Sequence, residues 1–366
     1  MKAYVTTTIV GVLAFDDNGK ILAKRFFPKD AKEIAERFGK ARANEVIEEE
    51  KMVIKELGEK GYKDVVLNKN IESHEISKDT KIIFQEQHKG IEWARNFRKI
   101  ALESGWISSD VELNALLVEV NIILSGQKIK SVGRDKIIIH VIGVIDELDD
   151  DINSLSERLR EWYGLHFPEL AREIKGHESY AETISKYGKR ENIKNGRLAE
   201  YASKSVGMEF DESDEKSIVI FSKSLLSMIK TREHLAKYIE DLCKEVMPNF
   251  SALAGPLIAS RLLAHAGGLE KLAKMPSSTI QLLGAEKALF RHLKGKGKSP
   301  KYGVLFAHPL IQKAPKDLRG KVARLISSKL SLAAKMDFYS KKDRSKELKE
   351  ELEKSVESLI KNETSK

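Results

Sequence analysis

Two stretches repeat their apolar residues at helical spacing for longer than any others in the chain, and they set its plan. Ile137, Val141, Val144, Leu148, Ile152, Leu155, Leu159 and Trp162 recur three or four positions apart, forming a seam on one face of a long helix. Ile218, Phe221, Leu225, Met228, Arg232, Leu235, Ile239, Leu242 and Val246 form a second seam with the same alternation. Only Arg232 is polar there, and a single polar seam residue can fix register or pairing. Paired antiparallel, residues 136–163 and 214–247 make an arm with helices of roughly 42 and 51 Å, at ~1.5 Å per residue. Burying a Leu- or Ile-sized side chain contributes about 1.5–3 kcal/mol, and one hairpin leaves part of so long a seam uncovered. The expectation is a homodimer through Val141, Leu148, Leu155, Leu225, Leu235, Ile239 and Leu242. Heptads alone leave the number of copies open.

Ahead of the arm the pattern changes to alternation. Residues 4–15 and 21–27 read as strands around Asp16-Asp17-Asn18-Gly19, whose Asn-Gly pair is a hairpin turn signal. A helix follows Pro28, with Ala31, Ile34, Ala35 and Phe38 on one side; others are predicted over 46–57, 85–102 and 111–124. Val65-Val66-Leu67 is a short strand. This is a small mixed α/β domain, read as a partner-binding module. Between the arm helices, Pro168 breaks the first, and residues 180–210 are polar with three glycines, a cap or insertion at the tip. His166, beside Pro168, reads as a structural hydrogen-bonding residue and not as a metal ligand. Asp149-Asp150-Asp151 reads as a solvated helix face.

After Pro248, Ala252, Ala254, Gly255, Ala259, Ala264, Ala266 and Gly267 mark closely packed helix in a compact C-terminal domain. Ser278-x-x-Gln281 has the form of a capping box, opening a helix that carries Lys287, Arg291 and Lys294 at i, i+4 and i+7. Gly284 and Ala288 are four apart on that helix, a small-residue face suited to close approach. Gly295, Gly297 and Pro300 end it in a loop holding Lys296, Lys298 and Lys301. A further helix over 317–339 puts Lys321, Arg324, Ser328, Ser331 and Lys335 on one line and Val322, Ile326, Leu330 and Ala333 on the other. The Lys/Glu-rich tail from Lys341 is helical or disordered, a solvated extension.

Charge sharpens this picture. The 366 residues carry a net +9. Residues 284–344 hold 16 Lys/Arg against 4 Asp/Glu, or +12, so the remainder sums to 9 − 12 = −3. Basicity confined to one region is the footprint of a nucleic-acid contact. One cysteine, Cys243, excludes an intrachain disulfide and a cysteine-built zinc site. No apolar run approaches the ~18–20 residues of a spanning helix, and a cytoplasmic protein is expected. Abundant Lys, Glu and Ile hint at a hyperthermophile. Gly297-Lys298-Ser299 ends like a phosphate-binding loop, but His292 stands where the first glycine belongs, and a helix precedes it. Arg291-His292 and His308-Pro309 lack an acidic partner at useful spacing. No catalytic residue, metal or cofactor is expected.

GAEKALF at 284–290, PKYGVLFAHPLI at 300–311, the run 315–337 and WYGLHFPEL at 162–170 resemble the Nop-domain family, archaeal scaffolds of box C/D guide-RNA particles included. The first hundred residues resemble it only loosely. The resemblance implies a mainly α protein: an N-terminal α/β domain (1–120), a long antiparallel coiled-coil arm with a tip insertion (121–250, tip 164–212), an all-helical Nop domain (251–344) and a charged tail (345–366). It implies that Gly284, Ala285, Glu286, Lys287, Ala288, Leu289, Phe290, Arg291 and His292 meet a guide RNA with its kink-turn and a small kink-turn-binding protein. It places Lys301 near a base or phosphate and, with periodicity, makes Lys321 and Arg324 backbone contacts. It implies that the first domain holds fibrillarin, which binds S-adenosylmethionine and performs 2′-O-methylation. A stiff arm would set the spacing between grip and enzyme. Two other readings stay open: a splicing-type Nop-domain scaffold, and a stand-alone RNA-modifying enzyme.

Overall fold

The computed structural model describes residues 1–69 and 80–364. The chain divides into two compact units, Met1–Val132 and Gly133–Lys366. In the first, β1 (Lys2–Thr8), β2 (Gly11–Phe15), β3 (Ile21–Phe26), β4 (Asp64–Leu67) and β5 (Lys81–Phe84) form one sheet in the order β3-β2-β1-β4-β5. The β1–β2 and β2–β3 pairs are antiparallel, while β1–β4 and β4–β5 are parallel. Thus the single strand expected over 4–15 is two, reversing at Ile9-Val10. The Asn18-Gly19 turn forms as expected, with the Asp16 carboxylate accepting from the Asn18 and Lys20 N–H groups at 2.9 Å each.

Alternation along the strands sorts side chains to two faces. Ala3, Val5, Val12 and Ala14 pack beneath α1 (Ala31–Arg42), α2 (Glu48–Glu59) and Val120 of a later helix. Leu13 and Phe15 pack under α3 (Lys89–Ala94) and α4 (Phe97–Glu103), two short helices where one was expected. The helix α5 (Asp110–Lys130) runs through position 120, and the unit ends at Val132. Glu50 and Lys69 form a fully buried ion pair at 2.6 Å. Its remaining bonding capacity is met by the Glu45 carbonyl, the Ile47 N–H and the Thr7 hydroxyl.

His88 is buried and stacked on Tyr4, and neither ring nitrogen has a hydrogen-bond partner among the described residues. Burial pushes its pKa down. With the folded value below the unfolded one near 6.5, the unfolded chain takes up the proton first as pH falls. The His88 contribution to stability is therefore intact above about pH 6.5 and is lost progressively below it. Thermal unfolding between pH 7 and 5 should show this slope, and His88→Phe should flatten it.

The second unit begins with α6 (Asp135–Gly164), the arm's first helix. Then come α7 (Leu170–Glu173), α8 (His177–Tyr187), α9 (Arg197–Ser203) and the returning helix α10 (Glu212–Val246). The hairpin is as expected and Leu159 of the first seam is buried, but near the root the buried stripe lies one position on from the expected one. Ile138, Ile142, Ile145, Ser156, Leu159 and Tyr163 are buried, while Ile137, Val144 and Trp162 are 39%, 44% and 38% exposed. Val141, Leu148 and Leu155 are half-buried. On α10, Leu225, Ile239 and Leu242 are closed inside the unit and Leu235 is half-buried. Those three α10 residues therefore pack within the chain's own fold, and the exposed apolar positions of the hairpin are Ile137, Val144 and Trp162 on α6 and Ile220 and Tyr238 on α10. Arg232 pairs with Asp149 at 2.7 and 3.2 Å, so the polar seam residue locks the hairpin's register. Asp149 is thus paired, unlike the solvated face expected of it.

The tip insertion has its own core of Tyr163, Phe167, Tyr180, Ile184, Phe210 and Ile218. His166 is wholly buried there and stacked on Phe210. Its Nδ1 donates to the Met208 carbonyl at 2.8 Å and its Nε2 accepts the Arg190 N–H at 2.9 Å. One tautomer satisfies both bonds, the structural role expected.

The arm's root is embedded in the C-terminal bundle. Ile138, Ile142, Ile145, Ile239 and Leu242 share a core with residues of α11 (Pro248–Ala254), α12 (Pro256–Ala266), α13 (Leu269–Lys274) and α14 (Ser277–Leu282). It extends to α15 (Glu286–Leu293), α16 (Pro309–Lys313), α17 (Arg319–Lys335) and α18 (Ser345–Thr364) only through the last three, since α15 buries no residue. Lys136 donates to the Gly267 carbonyl at 2.5 Å, Asp135 accepts the Leu269 N–H at 3.0 Å, and Arg261 pairs with Asp146 at 2.6 Å. Buried Asp337 caps α11, accepting the Asn249 and Phe250 N–H groups; burial outweighs these bonds and raises its pKa. The charged tail departs from its expected solvated form: α18 buries Leu348, Leu352 and Val356. Among the described residues no helix is long and apolar enough to cross a membrane.

Candidate nucleic-acid interface

The helix expected to run unbroken from the Ser278 capping box to Lys294 is two helices. α14 starts behind Pro276, and Gln281 sends its Nε2 to the Lys301 carbonyl at 2.7 Å instead of capping. Gly284 follows, outside any helix, with φ at +85°. A Cβ there would stand 2.6 Å from Val304 Cγ2, so the small residue is required by the turn and its neighbour, not by a shared face with Ala288. Glu286 opens α15, its Oε1 accepting the Gly284 N–H at 2.8 Å. Burial pulls its pKa up, but the Gly284 and Glu286 backbone N–H groups outweigh this and hold the carboxyl below its ordinary range.

With no residue buried, α15 stands off the bundle and presents two faces. Lys287, Arg291 and Lys294 lie exposed on one; Phe290 and Leu293 are 64% and 71% exposed. Ala288 and His292 are exposed as well, Ala285 and Leu289 half-buried. The loop beyond is held to the helix by the Lys296 N–H on the Arg291 carbonyl at 2.8 Å and by His292 Nδ1 on the Gly297 carbonyl at 3.1 Å. Among the described residues, the side chains of Lys287, Arg291, Lys294, Lys296, Lys298 and Lys301 make no ion pair. Six cations without acidic partners in 15 positions make a surface of strong positive potential.

Tertiary packing brings Lys301 to the start of α17. Its Cδ would lie 3.5 Å from a Cβ on Gly320, which is why the stem can run there. Arg324 is exposed on the same helix, whereas Lys321 pairs with Glu363 and Lys329 with Glu351, each at 2.8 Å. Ser331, expected on the polar line, is buried against the Met275 carbonyl. The sequence reading passed over two features: Leu293, completing the apolar face of α15, and Tyr302 stacked on Phe306 beside Lys301. Both have a local signal, spacing of i to i+3 or i+4 from residues already singled out.

Gly303 binds this segment to α14: its N–H reaches the Gln281 carbonyl at 3.1 Å, and a Cβ would fall 1.9 Å from the Leu283 oxygen. Gly303→Ala should therefore destabilise the bundle by about 3 kcal/mol. That lowers the melting temperature by roughly 5–10 °C, measured by calorimetry.

Chemistry finds little purchase. His308 is buried, its Nε2 donating to the Leu253 carbonyl at 2.8 Å and its Nδ1 capping α16 through the Leu310 N–H. Burial raises the Cys243 thiol to about 11, leaving it protonated at neutral pH. Among the described residues no cluster of three His, Cys, Asp or Glu forms a metal site.

A family model described as Nop, "snoRNA binding domain, fibrillarin", matches residues 144–362, and one for the archaeal Nop5/56-related N-terminal domain matches residues 2–130. An uncharacterized NOP5 family protein of Methanocaldococcus jannaschii is 42% identical over 278 residues, covering 72% of this chain and 67% of that protein. Nucleolar protein 58 of Schizosaccharomyces pombe is 39% identical over 259 residues, covering 66% and 50%. That of Emericella nidulans is 39% identical over 221 residues, covering 57% and 38%. The chain thus spans half or less of the fungal relatives. A chain from a crystal structure of a fibrillarin/Nop5p complex aligns over 80% of this chain and 93% of its own length, at 23% identity and a TM-score of 0.40.

Proposed function

The chain belongs to the Nop family, with an archaeal Nop5/56-related domain ahead of the Nop region, and on that premise we propose that it is the non-catalytic scaffold of a box C/D guide-RNA particle. The observation that carries the reading is the set of cations on α15 and its loop that make no ion pair among the described residues, within the segment matched by the snoRNA-binding model. In this reading Lys287, Arg291, Lys294, Lys296, Lys298 and Lys301 meet RNA phosphates, with Arg324 continuing the track along α17. Phosphate contacts position while guide–target pairing specifies, so the protein need read little sequence.

The apolar face of α15, Phe290 and Leu293, suits a protein neighbour held beside the RNA, the small kink-turn-binding protein. The exposed apolar positions of the arm, Ile137, Val144 and Trp162 on α6 with Ile220 and Tyr238 on α10, and the half-buried Val141, Leu148, Leu155 and Leu235 beside them, suit a second copy of the chain. The N-terminal unit takes fibrillarin, which brings S-adenosylmethionine. The functional divisions follow: a partner-binding unit, an arm with a capped tip, and an RNA-gripping bundle.

The test is reconstitution with guide RNA, target RNA, kink-turn-binding protein, fibrillarin and labelled S-adenosylmethionine. Target methylation should require this chain, and the chain with RNA and methyl donor alone should transfer nothing. Transfer by the chain alone would establish the stand-alone enzyme. Co-purified RNA of spliceosomal type would establish the splicing scaffold.

A further inference from the structure

Beside the cationic surface lies an arrangement that phosphate contact does not use. Tyr302 and Phe306 are four residues apart, and their rings lie nearly parallel, 4.8 Å between centroids and 14° between planes. Leu305, wholly buried, anchors the turn between them, and Tyr302 packs partly into the bundle core. Phe306 is the outer ring, 39% exposed. The Arg319 guanidinium lies 5.8 Å from the Phe306 centroid, a third flat group in the same cluster. None of this is slack. Arg319 is pinned by the Ala314 and Gln312 carbonyls at 3.2 and 3.1 Å, and the Phe306 carbonyl accepts Gln312 Nε2 at 2.6 Å.

A single exposed phenylalanine on a bundle is ordinary. This one is backed by a second ring, flanked by a fixed guanidinium, and set in a segment where residues 294–324 hold nine Lys/Arg against one acidic residue, Asp317. Lys301, next to Tyr302, is exposed and its backbone is tied to Gln281. Flat apolar faces rigidly held among cations are what an unpaired nucleobase needs, since the base stacks while its phosphates are neutralised alongside. A protein partner seated here would have to desolvate charge without acidic groups to meet it on this side. The surrounding charge favours a polyanion.

We propose that Phe306, backed by Tyr302, is a stacking step for one unpaired base of the bound RNA, adding a base contact to the phosphate contacts of α15. The inference rests on the RNA-gripping reading above. Because stacking is indifferent to base identity, the step selects for an unpaired base at that place and not for a sequence.

The test uses the full chain, the kink-turn-binding protein and a box C/D kink-turn RNA carrying 2-aminopurine at each unpaired position in turn. One position should change its fluorescence on binding to the native chain and to Phe306→Trp, which keeps the aromatic face. Phe306→Leu, which keeps apolar bulk, should lose that signal and bind about tenfold more weakly. Its salt dependence should be unchanged, because no phosphate contact is removed. If Phe306→Leu keeps both signal and affinity while binding still weakens with salt, the stacking step is wrong and the RNA grip stands. If the native chain binds no RNA at low salt, both fall together. If Phe306→Leu instead fails to capture the kink-turn-binding protein without RNA, the ring is a protein contact and the proposal is overturned.

Discussion

Replacing Lys287, Arg291 and Lys294 together by alanine is expected to weaken guide-RNA binding roughly a hundredfold at 0.15 M salt. Each phosphate contact contributes a slope of about −0.7 to −0.9 in log affinity against log salt, so three lost contacts should flatten the slope by roughly 2 to 2.7. The folded bundle should be untouched, because α15 buries none of its residues and alanine is the best helix former. Capture of fibrillarin should therefore survive. A variant that loses both RNA and fibrillarin has a damaged fold, and one that keeps full affinity and slope removes α15 from the interface. Titrations in two or three salt concentrations measure both quantities.

The second large effect separates the arm's inside from its outside. Ile239→Asp puts a carboxylate at a position with no solvent exposure, between the arm root and the bundle. A buried, unpaired charge costs about 3–5 kcal/mol, enough to unfold a marginally stable unit. Val144→Asp with Leu148→Asp alters the outward line instead, where Val144 is 44% exposed. That pair should leave helix content intact and reduce the sedimentation mass to a single chain. Unchanged mass would refute self-association through α6, and unchanged stability of Ile239→Asp would refute its place in the core.

The architecture was legible where a pattern is local and long. The hairpin, the capped tip, the Asn18-Gly19 turn and the α1 face all follow from spacing within a few turns of chain. The errors have physical reasons. Residues 137–145, IIIHVIGVI, carry two adjacent stripes at helical spacing, and only packing against α10 and α12 selects Ile138, Ile142 and Ile145 over Ile137, Val141 and Val144. Charge hid the buried face of the tail, since Leu348, Leu352 and Val356 are spaced four apart among Lys and Glu.

At the candidate site the contiguous part, Lys287 to Lys301, was readable because it lies in one stretch. A positive φ at Gly284 is invisible to periodicity, so a broken helix read as a whole one. The Glu363 partner of Lys321 and the approach of Arg319 to the Phe306 ring depend on folding separate segments together. No one-dimensional pattern contains them.

The central claim, that the cations following Gly284 are where RNA is held, has a direct test in photocrosslinking. The full chain would be assembled with the kink-turn-binding protein and a guide RNA, irradiated and digested, and the RNA-bearing peptides identified by mass. The account predicts crosslinks concentrated on peptides containing Lys287, Arg291, Lys294, Lys296, Lys298 and Lys301. Crosslinks confined to Met1–Val132, with those peptides unmodified, would contradict it.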